Sequence, residues 1–143
     1  MPNSLWPTAL LVAISACGLL AGCEVGNPDT VSPVTSSSYS GYYVNPSGGP
    51  MVSGNTGSAV TSLTVTQSGD ELQAVDNNGI LFKGSVTIAS SNQPAIFILD
   101  GTTTAGAKVT INGTLQGSGS SAVMTGQWIE PTVVLGFTGK NSS

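Results

Sequence analysis

Residues 71–88 read ELQAVDNNGILFKGSVTI, and the reading of this stretch decides the fold. Leu72, Ala74 and Asp76 alternate with Glu71, Gln73 and Val75. Beyond Asn77-Asn78-Gly79, a second set, Ile80, Phe82, Gly84, Val86 and Ile88, alternates with Leu81, Lys83, Ser85 and Thr87. Successive side chains of a strand point to opposite faces, so a period of two on both sides of a turn signal predicts a β-hairpin. Asn and Gly supply that signal because they tolerate the positive φ of primed turns.

The same texture recurs outward in both directions. Residues 39–44 form a first short run, followed by a Gly- and Pro-rich stretch, NPSGGPMVSGNTGS, at 45–58. AVTSLTVTQ at 59–67 precedes the hairpin. After it come AIFILD at 95–100, AKVTINGTLQ at 107–116, AVMTGQWIE at 122–130 and TVVLGFTGK at 132–140. Turn signals about every ten to twelve residues between short alternating runs mark an all-β sandwich or barrel. Gly84, Gly113, Gly126 and Gly136 fall inside runs, where glycine lets a sheet curl. Charged residues make up only 7% of the chain, and a closed barrel removes sheet edges without charged gatekeepers. The expectation is an all-β, small antiparallel up-and-down barrel of about eight strands, with a two-sheet β-sandwich as the alternative. A membrane-spanning barrel is the poorer reading, since it needs strands of about nine to eleven residues and aromatic girdles.

Composition excludes several functions. Three Lys against seven Asp and Glu give the 143-residue chain a net charge of −4, which leaves no basic surface for nucleic acid. The absence of His removes Ser-His-Asp and Cys-His nucleophiles and His-ligated zinc. No cofactor or resident metal is expected, and no enzymatic activity. Two carboxylates are the minimum for a glycosidase, but the acids here stand singly at separate turns.

The first segment is an address. TALLVAISACGLLAG at 8–22 is an apolar run of signal-peptide length that ends in Leu20-Ala21-Gly22-Cys23. This pattern resembles the lipobox of bacterial lipoproteins. The resemblance implies cleavage before Cys23 and acylation of its thiol, which would hold the chain on a membrane. Glu24 stands where an Asp often signals inner-membrane retention, so the resemblance leans towards the outer membrane. The n-region, MPNSLWP, departs from the pattern in having no Lys or Arg. The expected organisation is a signal peptide at 1–22, a lipidated Cys23 with a Pro- and Ser-rich tether to 38, and a barrel domain at 39–143. Cys17 falls in the removed segment, so no disulfide is expected in the mature chain. The repeated x-G-[TSQ] steps of the domain are similar to small lipocalin- and avidin-like barrels, and Gly41-Tyr42-Tyr43 matches part of the lipocalin G-x-W.

Two sets of residues stand out within the domain. In an up-and-down meander, alternate turns lie at opposite ends. Asp76, Asp100 and Glu130 end the third, fifth and seventh runs and fall at one end, beside the Gly-rich loop. If the apolar residues sharing their faces point inward, these acids rim the mouth with Trp128 and could hold a cation or a small ligand. The bland reading is ordinary turn chemistry. The second set is Phe97 and Leu99 with Leu81, expected as an outward apolar patch for a protein contact or a homodimer seam, the bland alternative being a strand covered by the loop or the tether.

Overall fold

The computed structural model describes residues 38–88 and 93–143. The signal peptide, Cys23 and the tether to residue 37 lie outside the described residues. Eight strands follow in chain order: β1 Gly41–Val44, β2 Ser62–Ser68, β3 Glu71–Asp76, β4 Leu81–Thr87, β5 Ala95–Thr102, β6 Lys108–Gln116, β7 Val123–Glu130 and β8 Val133–Asn141. Each pairs antiparallel with the next, and β1 returns to β8, so the sheet closes as an up-and-down barrel. The only helix among the described residues is a 3₁₀ turn at Gly119–Ser121. No helix among them is long and apolar enough to cross a membrane.

Alternation becomes burial. Leu72 and Ala74 of β3 are buried while Glu71, Gln73 and Val75 are exposed. Leu63 and Val65 of β2 point inward between exposed Thr64 and Thr66. The interior is filled by Tyr43, Phe82, Phe97, Leu99, Ile111 and Met124, all fully buried. Phe82 and Trp128 meet edge to face, with centroids 5.2 Å apart and planes at 69°. That geometry sets the positive ring edge against the negative face.

The hairpin sits at residues 77–79, but its turn differs from the primed form expected. Of the three turn residues, Asn77, Asn78 and Gly79, only Gly79 has a positive φ, +80°. The Gly79 amide donates to the Asp76 carbonyl at 3.0 Å, and the Asp76 amide to the Ile80 carbonyl at 3.0 Å. This is the three-residue solution, a type I turn closed by a left-handed glycine.

The wall curls where glycines face each other. Gly113 of β6 pairs with Gly126 of β7, and a Cβ on either would strike the backbone of the opposite strand. Phe97 and Phe137 flank that pair in the adjoining strands and fill the space it leaves.

Strand β5 requires a correction. Phe97 and Leu99 are 1% and 0% exposed, whereas Ile96 and Ile98 are 62% and 47% exposed. The run is apolar on both faces, so alternation alone carried no direction. Packing decides it: Phe97 stands over Gly113, and Asp100, on the same face as Ile96 and Ile98, faces outward against Lys83. Leu81 is exposed as expected, but its outward neighbour is Val75 of β3, and Ile98 lies opposite Ser85, further along β4.

Candidate functional site: the roofed mouth of the barrel

The turns after β1, β3, β5 and β7 gather at one end, around a cavity of about 200 Å³. Asp76, Trp128 and Glu130 line it together with Val52, Val60 and Ile80. Three of the four residues expected at the mouth therefore share one space. Asp100 does not, because its strand face is the outer one. It accepts a hydrogen bond from the Thr110 hydroxyl at 2.5 Å on the exterior.

The long loop between β1 and β2 is a roof. In the register of β1 and β2, Val60 would face Pro46; instead it pairs with Val52, its amide and carbonyl both bonded across at 2.8 and 3.0 Å. The residues looped out between Val44 and Val52 include Met51, which is buried with its Cε in the space a Cβ on Gly139 would need. Met51, Val52 and Val60 are the buried apolar residues of this largely polar loop, and their burial draws it down onto the barrel.

Glu130 holds the roof in place. Glu130 is 4% exposed, and its carboxylate accepts three hydrogen bonds: from the Thr56 hydroxyl at 2.7 Å, the Trp128 indole Nε1–H at 2.9 Å and the Asn55 amide at 3.1 Å. Gly54 lies so close to this carboxylate that a Cβ there would strike it. Burial alone pushes the Glu130 carboxyl up, but the hydrogen bonds from Thr56, Trp128 and Asn55 favour the anion and bring it below its ordinary value. The group is an anion with its partners inside the protein.

Asp76 performs turn chemistry. Its Oδ1 accepts from the amides of Asn78 at 2.9 Å and Ile80 at 2.8 Å, which fixes the hairpin it ends. The two asparagines of that turn then clamp the far side of the roof. Asn77 accepts from the Thr61 amide at 2.8 Å and donates to the Ala59 carbonyl at 3.2 Å; Asn78 donates to the Ser58 carbonyl at 3.2 Å. Sequence reasoning placed the loop beside the acids but missed Thr56, Asn55 and the two asparagines as its anchors. The available signal was the pair Met51-Val52 inside an otherwise polar stretch.

Among the described residues no group of three acids or cysteines could hold a metal ion. The arrangement can admit a small molecule against Trp128 only beneath a roof that Glu130 and the asparagines keep fastened. No protein-family model, no curated protein and no solved structure matches this chain.

Proposed function

We propose that this chain is a lipid-anchored protein of the bacterial envelope, held at Cys23 on the outer membrane in preference to the inner. Its barrel acts through the outer surface as a structural or protein-interaction module, with no catalytic step of its own. The observation that carries this reading is the filled interior: fully buried aromatic and aliphatic side chains occupy the barrel. The cavity left at the mouth, about 200 Å³, is smaller than the ~300–1,000 Å³ of ordinary ligand pockets. Labelled palmitate should enter the wild type and not a Cys23→Ala variant; label in the variant would remove the anchor.

A second reading, a mouth that takes a small cation, is favoured by Asp76 and Glu130 lining one cavity with Trp128. Thermal melts with calcium and with spermine separate the two. A molecule bound only by the folded state raises the melting temperature by mass action. The interaction reading expects no rise at any concentration. A rise that an Asp76→Asn, Glu130→Gln double variant loses would establish the second reading in its place.

A further inference from the structure

The closing seam of the barrel is short. β1 has four residues and meets β8 only at Lys140 and Asn141, although β8 runs for nine. The Asn141 amide donates to Ala122 on the β7 side, and the next amide, that of Ser142, donates to Tyr42 on the β1 side. Successive backbone groups of a strand alternate between its two neighbours. Val134, Gly136 and Thr138 therefore turn their N–H and C=O groups away from β7, past the end of β1. Among the described residues none of the three has a backbone partner there.

The side chains that stand out from this stretch are exposed: Val134 is 56% exposed, Gly136 and Thr138 are exposed, and a Cβ on Gly136 would meet nothing within 4 Å. A groove of about 690 Å³ reaches this edge, lined by Gly136, Phe137 and Thr138 of β8, by Thr125 and Gly126 of the paired β7, and by Pro46, Pro50 and Met51 of the loop. Pro46 and Pro50 have no N–H, so they cannot donate to the β8 carbonyls. Residues 132–138, TVVLGFT, contain neither charge nor proline, two of the means by which edge strands discourage pairing.

We propose that the edge from Val134 to Thr138 takes up an extended segment of a partner protein as an added strand. This rests on the interaction reading above and names its surface and its partner class. Only an extended polypeptide repeats donors and acceptors at the two-residue spacing of the edge, about 7 Å. The occupant is a single strand and not a second barrel: another copy would bring its own β7 beside its β8, towards the loop wall of Pro46 and Pro50. Its alternate side chains are apolar where they reach Phe137 and Met51. The charged residue on the outer face of β8 is Lys140, beyond Thr138 at the end of this stretch, so an acidic residue at the matching end of the segment suits this face.

Amide hydrogen exchange on the full chain in detergent tests the edge without a partner. Val134, Gly136 and Thr138 should exchange at least tenfold faster than Leu135 and Phe137, whose amides face β7. Equal protection of all five would show the edge already paired and end the proposal. Fluorescein-labelled Asp-Val-Thr-Val-Thr-Val-Asp peptide should then give saturable anisotropy and slow the three amides. Gly136→Pro and Thr138→Pro, each removing a donor that faces the groove, should weaken its binding at least tenfold with an unchanged circular dichroism spectrum. Absence of saturable binding, or binding indifferent to both substitutions, overturns the proposal. A dimer that Gly136→Pro dissociates would give the edge to a second copy instead. A calcium or spermine shift in melting temperature bears on the earlier reading alone, since the amide pattern is read without either.

Discussion

At the scale of single residues, Glu130 shows how one charge can organise a surface. A carboxylate placed inside a barrel is unfavourable unless donors surround it, and here one indole, one hydroxyl and one backbone amide do so. Two of the three donors come from the roof, so the charge fastens the loop as well as itself. Glu130→Ala should leave those donors unpaired and destabilise the fold by about 2–4 kcal/mol, read by urea unfolding. Glu130→Gln, which keeps an acceptor, should lose less. The pH dependence has a definite sign. Because the folded-state value lies below the unfolded one, the contribution is present above the ordinary glutamate range. It should disappear as pH falls through the lower folded value. An acid titration of stability should be shallower in Glu130→Gln than in wild type, and identical slopes would show that the hydrogen bonds do not discriminate the anion.

At the scale of elements, β5 is the informative strand. AIFILD offers an apolar residue on either face, and the hydrophobic effect by itself is indifferent to which pair is buried. Asp100 could not supply the direction, since Asp76 and Glu130 also end strands and are buried; the fit of Phe97 over Gly113 decides it and leaves Ile96, Ile98 and Asp100 outside. Phe97→Ala should therefore cost about 3–5 kcal/mol, and Ile98→Ser within about 0.5 kcal/mol of nothing. Comparable losses at both positions would mean that the strand is buried on both faces. The β6–β7 crossing makes a second prediction at this scale. Gly126→Ala would push a methyl into the backbone of β6 beside Asn112, and should destabilise by about 1–3 kcal/mol.

For the whole molecule, the barrel is held by its core and by ladders between neighbours. Both cysteines of the chain, Cys17 and Cys23, precede residue 38, so no disulfide can form within the described barrel. Its thermal midpoint should be the same with and without reductant, and its circular dichroism almost wholly β; a midpoint that falls in reductant would contradict this. A closed ladder leaves few free edges, and the exception is where a four-residue strand meets a nine-residue one.

The sequence by itself determined the class and order of the elements. Periods of two, punctuated by turn residues, belong to local backbone chemistry, and for this reason all eight strands were legible. Locality also explains why the mouth was legible in part: Asp76 and Glu130 share faces with unambiguous apolar residues, Leu72 and Trp128, whereas Asp100 does not. Tertiary structure alone decided the direction of β5, the descent of the 45–61 loop onto Glu130, and the short seam between β1 and β8. Each of these depends on which strands become neighbours and at what register, a relation between residues up to 101 positions apart. No periodicity within a single strand can encode it.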